Sequence, residues 1–590
     1  VRGALEDHGG AYLGLTLRGP NHTLGGLRGG GARAERGSGP RPASAGVTFS
    51  LHAGEELSVL AGRAQERVAV VRAGGNLGDD AMSGFSLTGG TDVTPAKPLH
   101  DQLERALDDP LTRGVFLDIR GVGNMAQIEE LRPRLARLRR AGKPVVAYLE
   151  YGAGRPDLYL ASACDRIVMA PEAVPQGLGL RAERRYYRGL LEGLGIRVER
   201  TSHGRYKSAY RNFSADSTPP ADHEAIERNL DVSQELFVGA LCADRGLGRE
   251  RVLGLLDGRP WGAEDLAAAG LVDSAGYRED ALALLGGLCG MGEKPRTVSL
   301  AKRPPARREW TVPSPVAVVY AQGGIETGRS GGDLLFGPSL GSTTLIEQLE
   351  SAFRRREVKA VVLRVESPGG SALASDLVHH ATLRLKRETG KPLVVSMGSL
   401  AGSGGYCIAS GADRIYADRF TRTGSIGVLA LKPSLERLWE KRGVRQDDFD
   451  RGDWMRAWSL HRDWTPAEQA AADSATLRFY HRFVEQVAQD RGLTWDEVDA
   501  VAQGRVWMGE DALERRLVDG IGGLEEALAE ARRRAGVPEG ARIRPLEYRR
   551  PRPDLLRRLV GDMVRQAWDD AVRSPEPGAP LYWMDTDEAP

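Results

Sequence analysis

The stretch Ala401-Gly-Ser-Gly-Gly-Tyr406 is the part of the sequence whose residue types and spacing best suit covalent chemistry. A short apolar strand, predicted over residues 393–396, precedes it, and an apolar run ending at Ser410 follows it. A serine between glycines at a strand-to-helix turn lets a substrate carbonyl approach closely, and the first helix amides face any negative charge that develops there. The pattern makes Ser403 a candidate nucleophile; a glycine-rich turn with an incidental serine is the alternative interpretation.

A serine hydroxyl needs a base, and the ten histidines do not offer a convincing one. The cluster His379-His380 lies in a predicted helix, where adjacent side chains point about 100° apart. A lysine can serve instead when burial keeps its amine neutral near pH 7. Lysines are scarce in this arginine-rich chain, and Lys207, within Gly204-Arg-Tyr-Lys-Ser-Ala-Tyr210, is the candidate, with a solvated surface lysine as the alternative.

An internal repeat organises the chain. Gly142-Lys-Pro-Val-Val recurs as Gly390-Lys-Pro-Leu-Val, an offset of 248, and Gly258-Arg-Pro-Trp261 recurs as Gly504-Arg-Val-Trp507, an offset of 246. Within each copy, short apolar strands alternate with helix-period segments, which favours an α/β fold with largely parallel strands. The sequence therefore predicts one α/β unit of roughly 220 residues that has been duplicated.

The two copies differ at the positions that matter for chemistry. At the offset of 248, Ser403 corresponds to Arg155 and Ser425 to Gly177, so the first copy lacks both serines. Lys207 corresponds to Met455, so the second copy lacks the lysine. This division predicts one composite site between the copies, although the spacing alone does not prove that the two halves meet.

The predicted organisation has five parts. A charged, proline-containing linker separates the copies, and an Arg-rich tail with an amphipathic segment, Leu555 to Val572, follows the second. The parts are an irregular Gly/Arg-rich lead-in at 1–64, the lysine-bearing copy at 65–289, the linker at 290–313, the serine-bearing copy at 314–545, and a tail helix at 546–590.

Composition excludes several functional classes. Lys plus Arg (81) nearly balances Asp plus Glu (80), so no basic field suggests nucleic acid as a partner. The four cysteines are scattered without zinc spacing, so we expect neither a metal site nor a disulfide framework. No apolar run is long enough to cross a bilayer, but the sequence begins at Val1, so an anchor removed before that residue stays open.

Five motifs in order, inside the duplicated frame, give the chain a family resemblance over roughly residues 65 to 545. The motifs are Tyr-Lys-Ser-Ala at 206–209, Ser-Pro-Gly-Gly-Ser at 367–371, Ala-Gly-Ser-Gly-Gly-Tyr at 401–406, Ala-Asp-Arg-Ile at 412–415 and Thr-Gly-Ser-Ile-Gly at 423–427. With them the chain resembles the long, tandem-domain form of bacterial signal peptide peptidase A, a Ser/Lys-dyad peptidase with two tandem crotonase-like (ClpP-like) domains.

The resemblance implies a role for each site residue. Ser403 would be the nucleophile, Lys207 the general base, and Ser425 a hydrogen-bond partner that orients the lysine amine. Gly370 and Gly404 would supply the backbone amides of the oxyanion hole. No metal and no cofactor is implied.

The resemblance also implies partners and a location. Expected substrates are hydrophobic peptides such as cleaved signal peptides, and the expected assembly is a homo-oligomer, a tetramer by resemblance. The expected location is the periplasmic side of a bacterial inner membrane, with a soluble form possible because this chain has no transmembrane segment.

Two other functions stay open at this stage. An acyl-CoA-binding enzyme of the crotonase type would use paired backbone amides but neither Lys207 nor Ser403. A non-catalytic scaffold, in which both copies have decayed, is the third hypothesis.

Gly328-Arg-Ser-Gly-Gly332 matches G-x-S-x-G literally, but it lies in a polar glycine-rich loop rather than at a strand-to-helix turn, so we do not expect it to be catalytic.

Overall fold

The computed structural model describes most of the repeated region and four separate short strands. The described residues are 65–79, 93–175, 177–302, 314–333, 337–538 and 544–549, together with Gly14–Arg18, Thr23–Leu27, Phe49–His52 and Leu581–Trp583. The first three short strands pair with one another, so part of the predicted irregular lead-in is a small separate sheet. The predicted helix over 555–572 lies outside the described residues.

The first copy is built on a parallel sheet. Its strands are near-continuous apolar runs, such as the fully buried Val145–Leu149, and this pattern is typical of parallel strands covered on both faces. Val93–Pro95 adds to the strand Arg67–Gly78. In spatial order the other strands are Ser274–Ala275, Arg166–Met169, Val145–Leu149, Thr112–Gly123, Arg67–Gly78 and Thr297–Ser299.

The second copy repeats this order strand for strand. Tyr416 pairs with Gly520 as Val168 pairs with Ser274 in the first copy, so the register is repeated as well. An antiparallel pair, Arg422–Gly424 and Val506–Met508, extends the second sheet beside the end of Leu393–Gly402. The strands equivalent to those of the first copy are Gly520–Ile521, Arg414–Ala417, Leu393–Gly402, Ala360–Ser367, Val316–Gln322 and Leu546–Tyr548.

Helices cover the sheets of both copies, and each copy has its own buried apolar core. Within the described residues, none of these helices combines the length and apolar character needed to span a membrane. Those of the first copy are Lys97–Asp108, Met125–Arg140, Arg155–Ser162, Arg188–Leu194, Pro220–Arg245, Arg249–Leu255, Ala263–Ala268 and Arg278–Leu288. Those of the second are Ser342–Arg354, Ala372–Thr389, Gly404–Ser410, Glu436–Lys441, Pro466–Arg491, Trp495–Val501, Gly509–Glu514 and Leu524–Arg534.

One strand of the first copy is paired within a sheet of the second. Arg197–His203 runs antiparallel to Val428–Ser434, from His203 opposite Val428 to Arg197 opposite Ser434. Buried polar contacts fix it there: Glu199 accepts a hydrogen bond from the Trp464 amide at 2.8 Å. This pairing joins the two copies beside the candidate site.

The strand Arg197–His203 is the edge of a fourth sheet. The sheet also contains Gly369–Ser371, the turn that carries Gly370, and the short strand Leu581–Trp583. Its full order is Gly332–Asp333, Gly337–Gly341, Gly324–Glu326, Gly369–Ser371, Leu581–Trp583, Val428–Ser434 and Arg197–His203.

A second contact between the copies is a buried ion-pair cluster. Arg364, fully buried on the strand Ala360–Ser367, forms ion pairs with Glu130 at 2.6 Å and Asp79 at 2.7 Å, both from the first copy. The same guanidinium donates to Ser396 Oγ at 2.7 Å. Burial of a charge is costly unless the charge is paired. The contact between the copies at this cluster therefore depends on Arg364, which pairs with both carboxylates.

Replacement of Arg364 by Met is expected to lower the free energy of unfolding by about 3–5 kcal/mol, because two buried carboxylates lose their cation. Urea unfolding followed by circular dichroism measures the effect. Arg329→Ala is the matched control: its pair with Glu347 is largely exposed, so the expected loss is about 0–1 kcal/mol. A loss at Arg364 no larger than the control's would contradict the assignment.

Candidate active site

Ser403 lies at a strained point between a strand and a helix. The strand Leu393–Gly402 ends directly before it, six residues beyond the predicted end at 396, and the helix Gly404–Ser410 begins directly after it. Its backbone has φ 54° and ψ −115°, a conformation that costs a non-glycine residue on the order of 1–3 kcal/mol. Its hydroxyl makes no cap hydrogen bond to the helix, which leaves it available to another partner.

That partner is Lys207. The lysine Nζ lies within hydrogen-bond distance of three oxygens: Ser403 Oγ at 2.8 Å, Ser425 Oγ at 3.0 Å and the Ser425 carbonyl oxygen at 3.0 Å. All three side chains are buried, with 1% of Lys207 exposed. The lysine and the two serines, which come from different copies of the repeat, therefore meet within one chain.

The surroundings of the amine favour its neutral form. Burial lowers the pKa of Lys207 well below its ordinary value, and the positive charge of Arg200 lowers it further. Among the described residues, no carboxylate forms an ion pair with the amine, so nothing restores the ammonium form. A neutral amine beside a serine hydroxyl can accept the hydroxyl proton.

Lys207 is positioned by a short turn that follows the strand Arg197–His203. The turn packs against the segment Gln503–Arg505 of the second copy: the Tyr206 amide donates to the Gln503 carbonyl at 2.8 Å. Gly504 lies so close that a Cβ there would be 2.7 Å from the Lys207 Cα. The Ser425 amide donates to the Arg505 carbonyl at 2.8 Å, so the same segment holds both lysine and serine.

Two arginines hold the main chain of the lysine. Arg200 and Arg211 both donate to the Lys207 carbonyl oxygen, Arg211 at 2.9 Å. Arg211 is in turn paired with the buried Asp222 at 2.6 Å. Burial lowers the pKa of Arg200 to about 9, so its guanidinium stays charged at neutral pH. These arginines, in an arginine-rich chain, were not singled out by the sequence, because nothing in their spacing distinguishes them.

Gly370 and Gly404 lie side by side next to Ser403. A Cβ on Gly404 would be 3.3 Å from the Gly370 nitrogen and 3.2 Å from the Gly369 Cα. A Cβ on Gly370 would be 2.1 Å from the Ile325 carbonyl oxygen. A side chain at Gly370 would thus collide with the Ile325 main chain, and one at Gly404 would collide with Ser375 Oγ, 2.4 Å from the place of its Cβ. The two predicted oxyanion residues are adjacent in space.

The equivalent place in the first copy is filled by its own side chains. Arg155, at the position of Ser403, is buried over the Phe237 ring at 4.1 Å and donates to the Leu178 carbonyl at 3.1 Å. Asp157 accepts hydrogen bonds from the amides of Val122 at 2.7 Å and Gly154 at 2.8 Å. A carboxylate of the chain itself thus occupies backbone amides near the turn that corresponds to the Gly370 turn.

Other nucleophilic or metal-binding candidates lie elsewhere. His379 contacts Asp490 at 2.7 Å, and Asp490 also accepts from Ser410 Oγ at 2.6 Å. Ser330, in the literal G-x-S-x-G match, accepts a hydrogen bond from the Gly341 amide at 2.9 Å and lies near a helix start rather than at the dyad. Within the described ranges, no group of histidine, cysteine and acidic side chains could hold a metal ion, and the four cysteines form no disulfide.

The family model for peptidase family S49 matches the chain twice, at residues 137–290 and 385–538, which are 248 positions apart at both ends. The chain belongs to peptidase family S49. It is a serine-type peptidase, as the motifs predict, and the prediction of two tandem α/β domains related by duplication is confirmed by the paired matches. The acyl-CoA enzyme and the scaffold are not favoured.

Curated relatives cover most of the chain. The chloroplastic serine protease SPPA of Arabidopsis thaliana is 30% identical, over 79% of this chain and 70% of the relative. Protease 4 of Haemophilus influenzae is 32% identical, over 73% of this chain and 71% of the relative. A putative signal peptide peptidase SppA of Enterococcus faecium is 33% identical over 31% of this chain and 53% of the relative.

The buried lysine should make stability depend on pH in a defined direction. The unfolded chain holds the Lys207 proton up to about pH 10.4, whereas the folded chain has released it at lower pH. The unfolded state therefore binds more protons in this range, and stability should rise as pH is raised from 7 towards 10. Lys207→Met should abolish this contribution, whereas replacement of the exposed Lys359 by Met should retain it.

Thermal unfolding of the three proteins at pH 7 and pH 9.5 measures the difference. The wild type should gain stability relative to Lys207→Met between the two pH values, and Lys359→Met should follow the wild type. An unchanged difference between wild type and Lys207→Met would mean that the amine is charged in the folded state.

Proposed function

We propose that this serine peptidase acts through a Ser403/Lys207 dyad and cleaves hydrophobic peptides such as signal peptides. The observation that carries the proposal is the 2.8 Å hydrogen bond between Lys207 Nζ and Ser403 Oγ within one chain. The burial of both groups supports it, because a dry environment keeps the amine neutral and strengthens electrostatic interactions.

In the proposed reaction, neutral Lys207 accepts the Ser403 proton as Oγ attacks the carbonyl carbon of the scissile peptide bond. The resulting ammonium then gives this proton to the departing amine, which leaves an acyl ester on Ser403. A water molecule, deprotonated by Lys207, hydrolyses the ester, and the proton returns to Ser403. The Ser425 hydroxyl orients the amine without adding a negative charge that would stabilise the ammonium.

We assign the oxyanion hole to the backbone amides of Gly370 and Gly404. The support is their adjacency: Gly404 directly follows Ser403, and a Cβ on Gly404 would be 3.3 Å from the Gly370 nitrogen. Each such donor typically stabilises the transition state by about 3–4 kcal/mol.

The preference for apolar peptides is supported by two exposed leucines in the helix that follows the Gly370 turn. Leu373 and Leu377, one helical turn apart in the helix that follows Ser371, are 49% and 43% exposed. Exposed apolar pairs beside a reactive group are suited to binding apolar side chains. The name of the Enterococcus faecium relative, a putative signal peptide peptidase, points to the same substrate class.

The finer proposals on assembly and location come from the family resemblance. We propose a homotetramer that associates with the periplasmic side of a bacterial inner membrane. Mass photometry should give about four times the chain mass of 63.9 kDa, and a mass of one chain at micromolar concentration would contradict the tetramer.

Ser403→Ala and Lys207→Met should each lower kcat/KM for a fluorogenic apolar peptide by at least about 1,000-fold, because each removes one half of the dyad. Ser330→Ala is the matched control, since this serine carries the better literal motif but lies outside the dyad, and it should keep near wild-type activity. A fluorophosphonate should label the wild type at Ser403 and leave Lys207→Met unlabelled. Near wild-type cleavage by either dyad variant would refute the assignment.

Arg200→Met should move the rise of kcat/KM with pH to higher pH. Removal of a buried positive charge raises the pKa of Lys207, so a higher pH is needed before the amine becomes neutral. The neighbouring charges, Arg211 with Asp222 and Arg505 with Glu224, stay in place. Arg249→Met, which removes an exposed arginine paired with Glu235, should leave the profile unchanged; a shift in the opposite direction for Arg200→Met would contradict the electrostatic role.

A further inference from the structure

Arg505 contacts two aromatic rings that belong to different copies of the repeat. Its guanidinium carbon is 4.7 Å from the centre of the Tyr206 ring, in the first copy, and 4.4 Å from the centre of the Trp507 ring, in the second. Both aromatic residues are buried. Because a cation is attracted to the faces of desolvated aromatic rings, this side chain joins the copies one residue away from Lys207.

The same guanidinium makes polar contacts across the boundary between the copies. Its Nη1 donates to the Tyr206 hydroxyl at 3.1 Å and to one carboxylate oxygen of Glu224 at 2.6 Å. The Tyr206 hydroxyl donates to the other oxygen of Glu224 at 2.9 Å. The three side chains therefore form a closed ring of hydrogen bonds, to which the planar guanidinium adds its stacking face.

The main chain around Arg505 contacts both partners of the lysine turn. The Arg505 carbonyl oxygen accepts from the Ser425 amide at 2.8 Å, and the Gln503 carbonyl oxygen accepts from the Tyr206 amide at 2.8 Å. Gln503 is in the left-handed region, with φ 55°, which is unfavourable for a residue with a side chain. This short segment therefore depends on contacts outside itself to keep its shape, and the Arg505 side chain supplies them.

The first copy contains an equivalent stack on its own tryptophan. Arg259, the counterpart of Arg505 at the offset of 246, has its guanidinium carbon 4.7 Å from the centre of the Trp261 ring. Its carboxylate partner is the neighbouring Asp257, and 67% of its side chain is exposed, against 14% for Arg505. The stack on tryptophan is thus common to both copies, whereas the contact with the lysine turn is made by Arg505.

We propose that Arg505 is a positioning residue for the dyad: by holding Tyr206, it fixes the Lys207 main chain at the distance from Ser403 that proton transfer requires. The inference rests on the proposed function, because it assigns a role relative to the Ser403–Lys207 pair. Arg505 acts through its neighbours on the geometry of proton transfer, so its loss should slow the reaction and leave substrate binding unchanged. A displacement of about 1 Å in a reacting group can lower a rate on the order of 100-fold.

The first experiment measures kcat and KM separately with a fluorogenic apolar peptide. Arg505→Met should lower kcat about 100-fold and leave KM within about twofold. Arg505→Lys keeps a cation for Glu224 and the rings, so it should lose only about tenfold in kcat, at an unchanged thermal midpoint. Arg259→Met is the matched control, since it removes the equivalent stack of the first copy, and it should keep the wild-type kcat and KM.

A double-mutant cycle connects the effect to Tyr206. Tyr206→Phe keeps the ring and removes only the hydroxyl, so it should lower kcat by about threefold to tenfold. Combined with Arg505→Met, it should lower kcat by less than the product of the two single losses, because both variants break the same contact. Losses that multiply would mean that Arg505 acts by a route other than Tyr206, which overturns the proposal.

The second experiment requires no catalysis and uses the Ser403→Ala background. Peptides that contain the Tyr206 and Ser425 amides, which donate to the Gln503 and Arg505 carbonyls, should exchange hydrogen at least about tenfold faster in Arg505→Met than in Arg259→Met. Exchange in the buried strand Val316–Gln322 should be equal in both variants, which excludes a general loss of structure. Equal exchange at Tyr206 and Ser425 would overturn the proposal.

The outcomes separate this inference from the proposed function. If Ser403→Ala abolishes cleavage while Arg505→Met and Arg259→Met share the wild-type kcat, the positioning role is overturned and the dyad stands. If Arg505→Met raises KM and keeps kcat, the arginine belongs to substrate binding, which also overturns the positioning role. If Ser403→Ala cleaves at the wild-type rate, the dyad itself fails and the positioning role falls with it.

Discussion

The antiparallel pairing of Arg197–His203 with Val428–Ser434 is the contact on which the site depends. Lys207 follows the first strand by four residues and Ser425 precedes the second by three, so the register of this ladder sets the distance between amine and hydroxyl. A slip of one residue would turn every side chain of the strand to the other face of the sheet. The buried Glu199, held by the Trp464 amide, opposes such a slip because it would lose this partner.

The proposed dyad uses neutral groups in a dry environment. The lysine amine is surrounded by two serine hydroxyls and a carbonyl oxygen, which satisfy it without a negative charge. Burial of a lysine in this form destabilises the fold by the free energy needed to remove its proton. Buried and part-buried ion pairs between the copies, such as Arg364 with Glu130 and Arg228 with Asp511, help hold them together despite this cost.

The two copies share a framework and differ at the residues proposed to be catalytic. The Ser410–Asp490 contact of the second copy recurs as Ser162–Asp244 in the first, at 2.6 and 2.7 Å. By contrast, a buried arginine stands at the position equivalent to Ser403, and Asp157 accepts a hydrogen bond from the Val122 amide, in the turn that corresponds to the Gly370 turn. A carboxylate that already accepts from these amides leaves them unavailable to a substrate oxygen, so the proposed oxyanion hole is confined to the second copy.

The sequence by itself determined the α/β class, the duplication, and the placement of Ser403 between a strand and a helix. These follow from patterns that are local or repeated: apolar runs, glycines at a turn, and one offset of 248. The predicted strand before Ser403 was too short. Apolar and polar residues alternate only weakly from Met397 to Gly402, and this stretch includes two glycines, yet it pairs with neighbouring strands as far as Gly402.

Only the tertiary structure decided that Lys207 reaches Ser403, that Arg200 lies behind the lysine, and that Leu581–Trp583 lies along the site. Each of these depends on strands that are far apart in the sequence and carry no distinctive pattern. The pairing of a first-copy strand with a second-copy strand is selected by the packing of the whole molecule. Main-chain hydrogen bonds alone can form between almost any two strand edges. The residue types indicated the chemistry, and the register of the strand Arg197–His203 against Val428–Ser434 brings the residues together.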